Sequence, residues 1–490
     1  MTPEPSPSFA RRALAIVVNW VGNFGSLFKS ADTLPHRKGA RGARPRDTKL
    51  DLTESVREEI VRNSRFVHRN SGFAREQLLS MQLYGVGNGI RPQARTLDAD
   101  WNAAAEKLFR QWGRRADIAG RFSWDEIQAI VCRALDRDGE AFVYKVKDAG
   151  QRPRLQLIPG HRVKTPPGEA DFVDGIRLGP NGEAVEYAVE QADGTFLNVP
   201  ANLMLHIFEP EDESSIRFAP TAQHAIGNVL DAMELIDLEM HAAKDNADVS
   251  RVLTKKAPDL EDEGDFSLSR AAASAGSDAP SLQKIVGGKL VVLEPGEDLK
   301  SFDPTRPSTT FTGFLEYLKR DSALGHVPYE FATDSSAIGG AGVRLVVTKA
   351  ERRFAWRTKI IADRLVRAVW EFVIGDAITK GLLAAVADWN DIEFTTPRRV
   401  SVDAGREAQA NRDDIILGIK TLEEHFAEQG KDFESEMRKR AQNAALMVKL
   451  AEEYKLPLDM LWNPGKTTPP AASVPSPEDN PPKRTSVQPG

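Results

Sequence analysis

The sequence predicts an α+β fold, and three observations support this prediction. Four segments between residues 52 and 135 repeat apolar residues at intervals of three and four, the period of an amphipathic helix. Short runs rich in Val, Ile, Phe and Tyr follow as far as residue 208, separated by Gly, Pro, Asn and Asp turns, which indicates an antiparallel sheet. Beyond residue 220, longer amphipathic stretches predict long helices.

Composition excludes several classes of protein. The chain has 490 residues, 41% of them hydrophobic, which suffices for a core and predicts two to four domains. Its formal net charge of −6 excludes a coat of uniformly basic character but leaves room for a local basic patch. The single cysteine, Cys132, excludes an intramolecular disulfide and multi-cysteine metal sites. No apolar run approaches the roughly 20 residues that span a bilayer, so no membrane partner is expected.

The two ends differ from the middle of the chain. Residues 1–50 hold nine Lys or Arg residues against three acids, and residues 37–46 carry Gly and Pro and show no hydrophobic period, which predicts a flexible basic arm. Such an arm either contacts nucleic acid or an acidic protein face, or is simply solvated. Residues 464–490 contain eight prolines, so an extended tail is expected there.

The individual elements follow from these patterns. Helices are predicted over residues 52–66, 73–83, 103–112 and 124–135, and strands over 141–146, 155–158, 175–178, 184–189 and 203–208. Long helices are predicted over residues 220–247, 311–324 and about 343–374, and further helices over 404–455. A strand is predicted at residues 289–293. The acidic and Ala/Ser-rich residues 257–288 predict a mobile excursion.

Motifs that would indicate catalysis are few. No phosphate-binding G-x-x-x-x-G-K-[ST] loop is present, and the glycines of residues 85–89 have the wrong spacing for a dinucleotide fingerprint and predict a turn. Cys132 lies in an apolar helix, which favours a buried structural thiol. One acidic cluster has two interpretations, a solvated loop or a two-metal nuclease site; its members are Glu209, Glu211, Asp212 and Glu213. No catalytic residue, cofactor or metal is predicted.

The helix predicted over residues 343–374 is a better lead, since it carries eight Lys or Arg residues. Lys349, Arg353 and Arg357 are four residues apart and share one face of a helix, with Arg364 close to the same line. This face either contacts phosphates or a neighbouring subunit, or its long side chains cover the helix's own core and pair with acids elsewhere.

A family resemblance supplies context for this helix. Residues 68–75 resemble the R-x-N-G-F-A-R segment of lambda-type portal proteins of tailed bacteriophages, residues 85–93 their G-x-G-I-R-P block, and residues 138–143 their D-G-E-A-F strand. Further blocks follow in the family's order at residues 175–189, 199–208, 293–297, 325–330 and 419–424. The sequence departs from the family pattern at residues 215–220, 257–288 and 337–344.

The resemblance implies a portal-type protomer without enzymatic activity that assembles into a ring, usually of twelve copies, at one capsid vertex. Double-stranded DNA would enter through the ring, driven by the large subunit of the terminase motor, and leave through it at infection. Major capsid or scaffold protein and head-completion or neck proteins are the other implied partners. The location implied is the virion, with the host cytoplasm during assembly.

The family architecture divides the chain into ten parts. After the arm (1–50) come an α/β wing (51–218), a stem helix (219–249), a clip with the mobile excursion (250–310), a second stem helix (311–332), a tunnel loop (333–343), a long basic helix (344–385), a return to the wing (386–439), crown helices (440–463) and the tail (464–490). The tunnel-loop residues implied to face DNA are Ser335, Ser336, Gly339, Gly340 and Gly342. The basic residues implied to lie near the channel or a subunit interface are Lys349, Arg353, Arg357 and Arg364.

Two other classes compete with a portal. A head–tail adaptor or minor capsid protein would bind the vertex without forming the channel, and the long helices and glycine-rich loop favour a channel-former. A metal-dependent nuclease would use the acidic cluster, and magnesium-dependent DNA cleavage that is lost on changing Glu211 and Asp212 to Ala would identify it.

Overall fold

The computed structural model describes residues 47–248, 251–254, 290–293, 309–336, 338–398, 400, 404–429, 431, 433–458 and 461. Residues 1–46 of the predicted arm, the 257–288 segment and the tail at 464–490 lie outside these residues. The chain divides into two compact units, one ending at Ala404 and the other beginning at Gly405.

The first unit opens with helices whose ends are fixed by polar caps. Helices α1 to α5 and strand β1 are, in order, α1 Thr48–Asp51, α2 Glu54–Asn70, α3 Gly72–Gly85, β1 Arg91–Ala94, α4 Ala99–Gly113 and α5 Trp124–Arg137. Helix α4 begins where Asp98 accepts hydrogen bonds from two backbone amides, and α5 begins with a capping box between Ser123 and Glu126. The four helices predicted before residue 135 are confirmed.

Antiparallel strands follow, as predicted, but they form two sheets rather than the one expected. One has the order β3-β2-β8 and the other β4-β5-β6-β7. The strands are β2 Glu140–Lys147, β3 Pro153–Ile158, β4 Phe172–Val173, β5 Ile176–Leu178, β6 Ala184–Glu190, β7 Phe196–Pro200 and β8 Met204–Phe208. In the central strand β2, Phe142 lies opposite Ile158 on one side and His206 on the other. Strands β4 and β7 were not predicted.

Long helices begin after the sheets. Helix α6 (Gln223–Asp248) packs along α7 (Thr309–Ser322), and between them in sequence lie the parallel strands β9 (Arg251–Thr254) and β10 (Leu290–Leu293). The short helix α8 (Tyr329–Ala332) precedes α9 (Gly340–Ile361).

One π-helical turn, Ala362–Val366, joins α9 to α10 (Arg367–Thr379), so the predicted helix over 343–374 is confirmed with a bulge inside it. Strand β11 (Ile392–Thr395) then pairs antiparallel with β1.

The second unit is helical. It contains most of α11 (Ala404–Ile416), together with α12 (Leu422–Glu428) and α13 (Phe433–Tyr454). A capping box starts α12, as the sequence predicts: the Glu424 amide donates to Thr421 Oγ1 at 3.1 Å and the Thr421 amide donates to Glu424 Oε2 at 2.9 Å.

The main core of the first unit lies between the helices and the β3-β2-β8 sheet. Buried apolar side chains from α3, α4, α5, α9 and α10 surround Trp370, which is 0% exposed. A second cluster joins α2 and α3 to α6, and a third fills the space between the two sheets. None of the helices in the described residues is long and apolar enough to cross a membrane.

Candidate functional site

The first residue of strand β2, Glu140, is buried at the centre of a network of charges. Arg217 donates from Nε to Glu140 Oε1 at 2.8 Å, and His206 Nε2 lies 2.9 Å from Oε2. Burial alone would raise the pKa of Glu140, but the Arg217 guanidinium and the hydrogen bond from His206 hold that pKa well below its usual range. The carboxylate therefore stays ionised in the interior, where a lost partner is costly.

The two residues before Glu140 make equally specific contacts. Asp138 accepts from Arg65 Nε at 2.8 Å and from Arg137 Nη2 at 2.7 Å. Gly139 has φ +87°, and a Cβ there would lie 2.3 Å from the carbonyl carbon of Ala219. The D-G-E motif noted in the sequence thus connects α2 and β2 to the segment that leads into α6. The requirement for glycine comes from both the left-handed backbone and the close approach of Ala219.

A second buried network, here termed the ion-pair junction, consists of Asp136, Glu209, His326, Arg353 and Arg357. Arg357 is 0% exposed and donates from Nη2 to Asp136 Oδ1 at 2.7 Å and to Glu209 Oε2 at 2.8 Å. His326 Nε2 lies 3.1 Å from Asp136 Oδ1. Burial alone would raise the pKa of Asp136, but the Arg357 guanidinium and His326 hold it well below its usual range.

The ion-pair junction ties together elements that are far apart in the chain. Asp136 comes from the end of α5, Glu209 follows β8, His326 follows α7, and both arginines come from α9. Arg357 Nη2 also lies 3.2 Å from the hydroxyl of Thr221, two residues before α6 begins. Buried charge pairs therefore fix the position of α9 relative to the sheet, the start of α6 and the segment after α7. Removing one partner of such a pair leaves an uncompensated buried charge, which destabilises the fold.

The structure corrects the predicted basic face in part. Arg357 is fully buried and Arg353 is paired with Glu209, so neither belongs to an exposed face of α9. Arg364 stacks its guanidinium 3.9 Å from the centre of the Phe208 ring. Lys349 alone of the four is exposed. The basic residues are spaced four apart as noted, but acids on other elements pair with Arg353 and Arg357 and hold them inside. Pairing with acids elsewhere in the chain was the second of the two interpretations of this face.

An exposed basic face does exist on α9, shifted from the predicted one. Its members are exposed and lie on one side of the helix: Leu345, Lys349, Arg352, Trp356 and Lys359. Only Lys349 was identified from the sequence. Spacing of three and four residues from Lys349 would have found the others, but basic residues lie on both sides of this helix, and the partner acids that distinguish them come from distant segments.

The predicted tunnel loop is shorter than expected. Gly339 is the residue before α9, whereas Gly340 and Gly342 lie inside its first turn. None of the three has a positive φ. Ser336 donates its amide to Asp334 Oδ1 at 2.8 Å, which closes a small turn, and Ser335 is exposed beside it. Whether this loop faces DNA stays a prediction.

The acidic cluster is not assembled as a metal site. Glu209 points into the ion-pair junction, while Asp212 accepts from Thr48 Oγ1 and from the Ser214 amide. Within the described ranges, no group of three or more His, Cys, Asp or Glu side chains is arranged to hold a metal ion.

Two smaller predictions are confirmed. Residues 86–88 form a turn after α3, and Cys132 is buried, with its pKa raised to about 12 chiefly by burial.

The fold thus combines an α+β unit that contains two buried charge networks with long helices that carry exposed apolar side chains. Comparison with known proteins gives the family. Residues 36–356, well over half of the chain, match the phage portal protein, lambda family, and the chain belongs to that family. This confirms the resemblance of the sequence blocks.

Some of the solved structures similar to this chain come from gene transfer agent (GTA) particles. They include the neck of an empty particle computed with C6 symmetry (15% identity, TM-score 0.46), the virion of the native particle (12%, 0.42) and the neck of the native particle computed with C12 symmetry (14%, 0.45). Each alignment covers 76% of this chain and 93% of the other.

Proposed function

We propose that this chain is the protomer of a portal ring that forms the DNA channel at one vertex of a phage-like capsid. The observation that carries the proposal is the family match over residues 36–356. The proposed ring, of about twelve copies, admits the genome during packaging, releases it at infection and provides the base on which neck and tail proteins assemble. Its proposed location is the portal vertex of the virion, reached from the host cytoplasm during assembly.

Uncovered apolar side chains on the long helices support assembly into a ring. Phe314 and Tyr317 on α7 are 52% and 63% exposed, and Leu238 on α6 is 59% exposed. A lone protomer would leave these side chains in water, whereas contact with a neighbour would bury them. A ring needs two different, complementary faces on each copy, because its contacts run head to tail.

The braced core supports a role under mechanical load. The Glu140 network and the ion-pair junction tie α2, α5, α9, the β3-β2-β8 sheet and the start of α6 to one another. Force applied to the long helices during DNA passage would therefore reach the sheets through short, buried contacts. The sequence holds no phosphate-binding loop, in keeping with a separate terminase subunit that hydrolyses ATP.

Particle assembly with and without this chain tests the proposal. Capsids made without it should contain no packaged DNA, and the chain supplied in trans should restore full heads. The control is a chain with Asp171→Lys, an exposed position in a loop, which should restore packaging as well as the wild type does. DNA-filled heads that lack only tails would contradict the proposal and support a head–tail adaptor instead.

A further inference from the structure

The exposed face of α9, here termed the α9 stripe, combines cations with uncovered apolar side chains. Its residues are Leu345, Lys349, Arg352, Trp356 and Lys359, all exposed, with Leu345 at 58% and Trp356 at 42%. At 3.6 residues per turn they fall within about 80° of the helix circumference. Lys349, Arg352 and Lys359 form no ion pair with any residue that the structure describes.

A face of opposite charge lies on α6. Asp231, Glu234 and Asp237 are exposed and flank Leu238, and these four residues are here termed the α6 stripe. They cover about 120° of the helix circumference. None of the three carboxylates has an ion-pair partner within the part of the chain described. Like charges held this close on one helix destabilise it unless a cation approaches from outside.

We infer that the α6 stripe of one copy packs against the α9 stripe of the next copy around the ring. This inference rests on the proposed function, and it names the contact between neighbouring copies that closes the proposed ring. The two stripes match in charge and in apolar content, because each places an exposed leucine among its ions. They also match in spacing: Asp231 and Glu234, like Lys349 and Arg352, are separated by about 4.5 Å along the helix axis. Because the stripes lie on different helices, their contact is head to tail, as a ring requires.

DNA is the other candidate for the α9 stripe, and two observations favour a second copy. A surface that guides a moving phosphate backbone gains nothing from uncovered leucine and tryptophan side chains, whereas a protein interface gains from burying them. A DNA contact would also leave the α6 carboxylates without a partner. Pairing the two stripes buries the exposed apolar side chains and gives the α6 carboxylates cationic partners. It also aligns neighbouring copies through complementary charge.

Charge reversal tests the contact. The acid-reversed chain carries Asp231→Lys and Glu234→Lys, the base-reversed chain carries Lys349→Glu and Arg352→Glu, and the fully reversed chain carries all four changes. Mass photometry of the full chain measures the fraction of protein in rings. Each half-reversed chain should lose at least tenfold in ring fraction, because every contact then opposes like charges. The fully reversed chain should recover rings, because every contact again pairs opposite charges.

A mixture gives a second, independent readout. In a ring that alternates the acid-reversed and base-reversed chains, every contact pairs opposite charges, so the equimolar mixture should assemble where neither chain does alone. A ring with an even number of copies allows this alternation. The matched control reverses two exposed charges that lie in neither stripe, Lys107→Glu and Asp171→Lys, and should assemble like the wild type.

The outcomes separate this inference from the proposed function. If the wild type forms rings and either half-reversed chain forms them equally well, the inference is overturned and the proposed function stands. Base-reversed rings that form normally but package no DNA would also overturn it and place the α9 stripe in the channel. Loss of rings without recovery in the fully reversed chain or the mixture would exclude direct pairing. A wild-type chain that stays small even with scaffold would overturn both.

Discussion

Arg357 and Asp136 form an ion pair in the interior of the first unit: Nη2 and Oδ1 are 2.7 Å apart, and both side chains are at most 1% exposed. The pair joins the C-terminal part of α9 to the end of α5, 221 positions earlier in the chain. Burying two charges carries a desolvation cost, so the pair is better understood as a device that fixes the position of α9 than as a large net source of stability.

Removing one partner of this pair should be costly. Arg357→Met leaves Asp136 buried with only His326 nearby, and we expect a loss of about 3–5 kcal/mol in the free energy of unfolding. Urea denaturation measures it. Arg110→Met, at an exposed position on α4 that lies in neither buried network, should change the same free energy by no more than about 0.5 kcal/mol. Equal losses in the two variants would contradict a structural role for the buried pair.

Stability should fall as the pH drops below neutrality, and His206 should be one cause. Burial lowers the pKa of His206 from its ordinary value of 6.5, although Glu140 partly opposes this. The unfolded chain therefore binds the proton more readily, and stability is lost as the pH falls below about 6.5. Glu140 and Asp136 have lowered pKa values, so their contributions are lost at more acidic pH.

His206→Gln isolates the first of these effects, since the amide can still donate to Glu140. The free energy of unfolding should depend less steeply on pH between 7 and 5 in this variant than in the wild type. His241→Gln, an exposed position on α6, is the matched control and should keep the wild-type slope. Identical slopes in all three proteins would show that His206 does not titrate with unfolding.

Gly139 should not tolerate a side chain. Gly139→Ala meets both a left-handed φ of +87° and a carbonyl carbon 2.3 Å from the new Cβ, so we expect a loss of at least about 3 kcal/mol. Gly182→Ala provides the comparison, because Gly182 has a similar φ of +82° and nothing within 4 Å of the new Cβ. Its loss should stay near the 1–2 kcal/mol that the backbone alone costs. Equal losses would mean that Ala219 moves aside freely.

The thiol of Cys132 should be unreactive in the folded protein. It is buried, and its pKa of about 12 leaves almost no thiolate near neutrality. A maleimide or aromatic disulfide reagent should label less than a tenth of the protein in buffer and one thiol per chain in urea. Since Cys132 is the single cysteine, the readout is unambiguous. Rapid labelling of the native protein would show that α5 opens easily.

Local patterns predicted most of the elements of the first unit. The amphipathic period located α2 to α7, and the capping signal at Thr421 located the start of α12. Strands β1 and β11 were missed because they pair across about 300 positions, and β1 is a four-residue strand with a proline that shows no alternation. Such pairings depend on tertiary contacts rather than on local propensity.

The charged side chains show where sequence reasoning ends. Spacing on α9 identified a row of cations but could not tell that Asp136 and Glu209 draw Arg357 and Arg353 into the core. The basic residues that stay exposed can be identified only from the fold, because the partner acids lie at the end of α5 and just after β8. The motif D-G-E was recognised from family resemblance, whereas its physical reason, two buried carboxylates flanking a glycine pressed against Ala219, required the fold.

Native mass spectrometry of the purified full chain, with negative-stain images of the same sample, tests the portal assignment most directly. The account predicts a closed ring of about a dozen copies with a central hole, formed by the chain alone or once scaffold protein is added. Species no larger than a dimer, at high protein concentration and with scaffold present, would contradict it.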